Sequence, residues 1–193
     1  MKTLLRGLAA AFVLTGAAQA APVDYRIDPE HTEVVVGWDH LGFSKPTAHA
    51  SGIEGVIRYD AAKPEASSVA LSVPLARLTS HVAKLDEMLQ GPQFFDTARY
   101  PDVRFESQSV ENLGDDRLRI HGTVRIKEQS RPLTLEARLN RQGVHPMAQR
   151  PAIGFDAQAV LKRSDFGVDA FAPDVSDAVL LRITVEAISE AGR

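Results

Sequence analysis

The chain has 193 residues, 44% of them hydrophobic and 24% charged, which is enough for one domain with a core of its own. It contains no cysteine, and this excludes disulfides, thiolate catalysis, iron–sulfur clusters, covalent haem and cysteine zinc sites together. The 22 Lys and Arg fall to 20 once Lys2 and Arg6 are set aside, against 25 Asp and Glu; the resulting formal charge of −5 makes a poor surface for nucleic acid or anionic membrane.

Lys2 and Arg6 flank the start of a short apolar run, Leu8 to Ala18, and Ala18-Gln19-Ala20 sets small residues where a leader peptidase cuts. Residues 1–20 are therefore expected to be a secretory signal peptide cleaved near Ala20. Residues 21–193 would then be a single periplasmic domain. The run is too short to span a bilayer comfortably, and no later segment is apolar for long enough.

From Tyr25 onward strand signals are almost continuous. Asp24 to Asp28 opens, Asp28-Pro29-Glu30-His31 turns, and Glu33 to His40 carries Val34, Val35, Val36 and Trp38. A loop from Leu41 to Thr47 leads to a strand over 48–59, with Ile53, Gly55, Ile57 and Tyr59 on one face. Val69, Leu71, Val73 and Leu75 alternate in the next. The one predicted helix runs over 80–90, capped by Thr79 or Ser80, with Val82, Leu85 and Leu89 on one face and Gly91-Pro92 as its stop. Strands follow over 103–112, 117–127, 133–140, 153–162 and 178–188.

The register is clearest between Arg117 and Lys127, where Leu118, Ile120, Gly122, Val124 and Ile126 alternate with polar residues. One side of that strand faces oil and the other water. Eight or nine one-sided strands, one short helix and no βαβ alternation predict an all-β fold, an antiparallel meander closed into a barrel. Gly55, Gly122 and Gly154 inside long strands suit the bends of a tilted barrel wall.

Catalytic signals are weak. His31, His40 and His49 match no local ligand spacing, and there is no HExxH, HxH, Gly-x-Ser-x-Gly or Ser-x-x-Lys. The histidines read as solvated or structural, His31 as a turn residue able to bond back to Asp28. The aromatics say more. Phe43, Phe94, Phe95, Phe166 and Phe171 lie outside regular strand interiors, where large apolar side chains need something apolar beneath them. They either plug the ends of an ordinary core or frame an internal pocket.

Ordered motifs along nearly the whole of this region resemble the YceI family of exported, lipocalin-like polyisoprenoid-binding proteins. They are Tyr25-x-Ile27-Asp28-x-x-His31-Thr32, His40-Leu41-Gly42-Phe43-Ser44, Gly52-Ile53-x-Gly55-x-Ile57-x-Tyr59-Asp60, Leu85-Asp86-x-Met88-Leu89, Phe94-Phe95-Asp96, Tyr100-Pro101-x-Val103-x-Phe105-x-Ser107, Gly122-Thr123-Val124-x-Ile126, Arg131-Pro132-Leu133 and Arg163-Ser164-Asp165-Phe166-Gly167. Lys127-Glu128-Gln129-Ser130 and Arg77-Leu78-Thr79-Ser80 depart from the family pattern, both at turns or caps.

The resemblance implies an extended eight-stranded antiparallel lipocalin-like barrel with one short α-helix near an opening. It also implies a long-chain isoprenoid, a ubiquinone or polyprenyl phosphate, threaded through the interior. No catalysis, no metal and no cofactor beyond the bound lipid are expected, with transient membrane contact and a monomer or homodimer. Trp38, Phe43, Leu85, Leu89, Phe94, Phe95, Phe105, Phe155 and Phe166 are expected on the lining, and Arg163 with Asp165 as a polar corner or head-group site. Two rivals predict other interiors: an enzyme of isoprenoid or stress metabolism would bring ionisable groups into the pocket, and a surface interaction module would have none.

Overall fold

The computed structural model describes residues 21–190; the expected leader lies outside the described residues. Eleven strands form: β1 (Val23–Ile27), β2 (Glu33–Gly37), β3 (Thr47–Ser51), β4 (Glu54–Tyr59), β5 (Ser68–Pro74), β6 (Leu78–Thr79), β7 (Asp102–Gly114), β8 (Arg117–Ile126), β9 (Gln129–Val144), β10 (Pro151–Lys162) and β11 (Ala178–Ser189). The helix, α1 (Ala83–Gln90), joins β6 to β7.

Six of these strands are halves of three long ones. β2 pairs with β3 where β1 pairs with β4, and β6 pairs with β3 where β5 pairs with β4. Counted so, the sheet is a ring of eight antiparallel strands in chain order. Its last member, β11, closes on β1 through Ile27↔Ala187 and on β2 through Val36↔Leu181. The expected barrel is present.

The three interruptions, at Asp28–Thr32, Gly52-Ile53 and the 3-10 turn Leu75–Arg77, lie on neighbouring strands and crease the wall. Each has a local cause. Asp28 accepts the Glu30 amide at 2.9 Å in a turn that holds Pro29, Gly52 has a φ of +70°, and Pro74 precedes the third. Each break also shifts the phase of alternation. Ala48 and Ala50 point inward before Gly52, whereas Ile53, Ile57 and Tyr59 do so after it. The predicted uninterrupted strand over 48–59 is therefore two strands.

α1 starts later than expected, and neither Thr79 nor Ser80 caps it. Instead Asp86, in its first turn, accepts the Ser80 amide at 2.6 Å and the Thr79 hydroxyl at 2.8 Å. The Ser80 hydroxyl, the Ser80 amide and the Thr79 hydroxyl hold the Asp86 carboxyl below its ordinary range.

The barrel is filled at one end. Tyr25, Ile27, Tyr59, Val110, Leu118, Ala137, Ile153, Phe155 and Ala187 are all buried and pack as one cluster. The Tyr59 and Phe155 rings meet edge to face at 5.8 Å, and the Tyr25 hydroxyl accepts the Gln142 amide at 3.1 Å. Each large apolar side chain removed from water here contributes about 1.5–3 kcal/mol.

Candidate functional site

The other end is hollow. It encloses a cavity of about 770 Å³, inside the range of about 300–1,000 Å³ usual for small-molecule sites. Every strand that borders it contributes only inward residues toward that end. These include Val34 and Val36 of β2, Leu71 and Val73 of β5, Val103 and Phe105 of β7, Val124 and Ile126 of β8, and Leu133 and Leu135 of β9. Along β11 the wall runs from Val179 to Val185 and stops before Ala187, which is wholly buried. Val34, Leu71, Val103, Leu181 and Ile183 point inward yet remain half-buried, as a hollow interior requires.

Three segments roof the hollow end. α1 and its flanks supply Val82, Leu85, Met88 and Leu89, followed by Phe94 and Phe95. The loop after β2 supplies His40, Leu41 and Pro46, and the connection from β10 to β11 supplies Arg163, Phe166, Val168, Ala170, Phe171, Asp174 and Val175. The last two segments are laced together: Leu41 N donates to Asp174 O at 3.0 Å, Asp39 N to Ser176 Oγ at 2.9 Å and Ser176 N to Asp39 O at 3.0 Å. Leu41, Val82, Met88 and Phe171 are exposed and mark the mouth. Leu41 (φ 58°) and Phe171 (φ 65°) sit in the left-handed region, a strained choice for bulky side chains and one that clusters at functional sites.

Of the residues expected on the lining, Trp38, Leu85, Leu89, Phe94, Phe95, Phe105 and Phe166 border the cavity. Phe43 and Phe155 do not. Phe43 sits at the tip of the loop after β2 and is 91% exposed, because the tight His40–Ser44 turn leaves nothing beneath it. Phe155 faces inward but one layer too deep, in the packed end. Met88, Val82, Leu41 and Phe171 were not among the expected wall residues; Phe171 at least carried the signal of an aromatic in a loop.

The polar corner also differs from expectation. Arg163 is buried and borders the cavity, but Asp165 is exposed and not its partner. The guanidinium instead donates to four carbonyls: Nε to Ser176 at 2.9 Å, Nη1 to Val168 at 2.7 Å and Ala170 at 2.8 Å, and Nη2 to Val175 at 2.7 Å. A rigid fork suits this task, since one side chain satisfies carbonyls on both arms of the connection. The carboxylate of the corner is Asp177, which accepts the Ser164 amide at 2.9 Å and the Ser164 hydroxyl at 2.8 Å. Those two bonds hold it below the ordinary carboxylate range.

Apart from Thr32, the polar side chains bordering the cavity are His40, Arg163 and Asp174, all at the mouth, and no hydrogen bond joins their side chains among the described residues. Outside the cavity, Asp28, His31 and Glu186 bring donor atoms within 4.8 Å of one another, close enough to hold a metal ion. The cluster has partners of its own. His31 Nδ1 lies 2.9 Å from Asp28 Oδ2, the bond expected from the turn, and His145 Nε2 lies 3.1 Å from Glu186 Oε1.

Residues 25–187 match the YceI-like domain family. The chain belongs to that family. A YceI protein of Escherichia coli is 33% identical over 192 residues, covering 98% of this chain and 100% of its own. The fold of this YceI-like domain is shared with Burkholderia cenocepacia BcnA at a TM-score of 0.75 and 19% identity, over 83% of this chain and 99% of that one. It is also shared with a polyisoprenoid binding domain from Saccharophagus degradans at a TM-score of 0.65 and 10% identity, over 86% and 99%.

Proposed function

We propose that this YceI-like protein binds, stores or carries a long-chain isoprenoid lipid in the periplasm, without catalysing a reaction on it. The observation that carries this reading is the apolar cavity of about 770 Å³ at one end of a closed barrel. An interior that size with almost no polar lining cannot hold water well and suits a hydrocarbon guest. The polyisoprenoid binding of the Saccharophagus degradans domain supports the choice of lipid class.

The energetics suit a carrier. Moving a prenyl tail out of water gains about 0.8 kcal/mol per methylene, but a bilayer offers the same gain. Preference for protein over membrane is then a few kcal/mol, set by fit and by contacts at the mouth. A neutral quinone fits this mouth better than a pyrophosphate, because the Arg163 fork is already committed to carbonyls and Asp174 adds negative charge. The exposed Leu41, Val82, Met88 and Phe171 around the opening, with Phe43 at the tip of the adjoining loop, favour loading by transient contact with a lipid surface.

Solvent extraction of protein purified from a membrane-rich host, followed by mass spectrometry, tests the reading. A near-stoichiometric isoprenoid is expected. Protein that stays empty after incubation with quinone-loaded vesicles, with no change in emission from Trp38, would overturn it.

A further inference from the structure

We infer that Asp28, His31 and Glu186 form a binding site for a divalent transition-metal ion of the zinc class, on the outer wall of the barrel at the seam where the ring closes. The site lies outside the apolar cavity and does not depend on the isoprenoid reading.

Two fixed elements build the cluster. Glu186 of β11 falls between Val185, on the cavity wall, and the wholly buried Ala187, so alternation turns its side chain outward. The turn between β1 and β2 is tied to that same residue. Asp28 N donates to Glu186 O at 2.8 Å, and Thr32 Oγ1 donates to Glu186 O and accepts from Glu186 N, each at 3.2 Å. Asp28 and His31 share this turn, and their donor atoms thus meet that of Glu186 within 4.8 Å.

The charges call for a cation. Among the described residues the ion-pair partners of Asp28 and Glu186 are His31 and His145, with no lysine or arginine. Histidine balances a carboxylate only while protonated, so the deprotonated cluster holds two negative charges and no positive one. Glu186 adds an independent sign. Its Oε1 is closed to solvent and has no aligned hydrogen bond, since His145 Nε2 approaches to 3.1 Å without that alignment. A shielded carboxylate oxygen without a donor is costly, and a cation beside it removes the cost.

His145 itself is not a ligand. Its Nδ1 accepts the amides of Met147 at 3.3 Å and Ala148 at 3.0 Å, which places the proton on Nε2, facing Glu186. It positions the carboxylate, as hydrogen-bonding partners of metal ligands do.

The donor set selects the class of ion. One imidazole nitrogen and two carboxylate oxygens suit a borderline ion such as zinc, whereas calcium and magnesium favour oxygen alone. Metal–ligand bonds of about 2.0–2.2 Å put neighbouring donors about 3.3–3.6 Å apart around a tetrahedral ion. Side-chain adjustment reaches that spacing, because the His31 side chain is 64% exposed and free to turn. The ion takes the place of the hydrogen bond between His31 Nδ1 and Asp28 Oδ2, and water completes its coordination on the open side. It joins the β1–β2 turn to β11 through side chains, where only the backbone and Thr32 join them otherwise.

Zinc chloride titrated into the chelator-stripped chain, without a histidine tag, tests this by calorimetry and by thermal unfolding. One zinc per chain and a rise in Tm with zinc are expected, with much weaker binding of magnesium chloride. His31→Gln and Glu186→Gln should each weaken zinc binding by about tenfold or more and remove most of the rise in Tm. His121→Gln, at a surface histidine bonded to Glu111 and Thr134 on the far side of the sheet ladder, should change neither. His31→Gln carries the test alone if Glu186→Gln does not fold. No zinc binding up to about 1 mM, or binding that both cluster variants leave unchanged, would overturn the site. Magnesium bound as tightly as zinc would overturn the class of ion.

Discussion

The ring of Phe105 occupies the place where a side chain of Gly122 would stand. A Cβ on Gly122 would lie 2.5 Å from the ring and 2.4 Å from the carbonyl oxygen of Glu106. The two residues face each other across the ladder of β7 and β8, displaced by one inward step, since Phe105 pairs with Val124. The glycine lets a large aromatic lie along the wall rather than across the lumen.

Gly122→Ala is therefore expected to destabilise the fold by about 1–3 kcal/mol, because the ring can move but the backbone oxygen cannot without straining the ladder. Urea denaturation monitored by circular dichroism measures this. An unchanged midpoint would mean that β7 and β8 approach less closely than described.

Arg163→Lys keeps the charge and loses the fork. One ammonium cannot reach the carbonyls of Val168, Ala170, Val175 and Ser176 together, so at least one buried acceptor is left unpaired. A loss of about 2–4 kcal/mol is expected, together with faster proteolytic cleavage between residues 163 and 177. Limited proteolysis with mapping of the cut sites reports both the loss and its location.

The turn between β1 and β2 gives a pH-dependent contribution. The hydrogen bond that His31 Nδ1 donates to the Asp28 carboxylate, then the Asp28 charge, raises His31 above its ordinary 6.5. Burial opposes ionisation of Asp28, but the His31 bond, the Glu30 amide and the His31 charge outweigh it, and Asp28 lies below 3.8. The raised His31 stabilises the fold fully below pH 6.5 and loses this effect as pH rises through its folded value. The depressed Asp28 contributes above pH 3.8 and loses its effect as pH falls through its folded value. His31→Gln should thus be less stable than wild type near pH 5 and closest to it at alkaline pH. Denaturation midpoints across that range would show a constant gap if the pair were not responsible.

Phe43→Asp and Phe171→Asp probe the rim without touching the packed end. Phe43 is 91% exposed and its change removes no buried contact of the core, whereas Phe171, 59% exposed, also gives up its ring contact with the buried Phe94 at 6.3 Å. Loading from vesicles should slow several-fold while equilibrium occupancy changes little for Phe43→Asp. Stopped-flow quenching of Trp38, the only tryptophan, follows the rate. Equal rates would show that the rim does not meet the lipid surface.

Much of the barrel was readable because alternation is a local signal. The face of Leu118, Ile120, Val124 and Ile126 followed from period two alone. What period two cannot give is height along the barrel axis. Phe105 and Phe155 both point inward, yet one borders the cavity and the other plugs its floor. The split of the strand over 48–59 was legible in principle, since Ala50 and Ile53 are three apart and both inward. Loop aromatics were harder: Phe94, Phe95 and Phe43 carry the same compositional signal, and only the route of the chain decides that the first two turn in and the third turns out. Arg163 was visible as a candidate, but its carbonyl partners lie on a connection with no periodicity to read.

Closure of the ring through β11 onto both β1 and β2 gives every strand but the two-residue β6 a partner on each side among the described residues, so little ladder is left to offer another copy. Backbone pairing, with no guest present, therefore closes the shell. On the proposed carrier role, an emptied molecule is expected to keep its shape and accept a second guest.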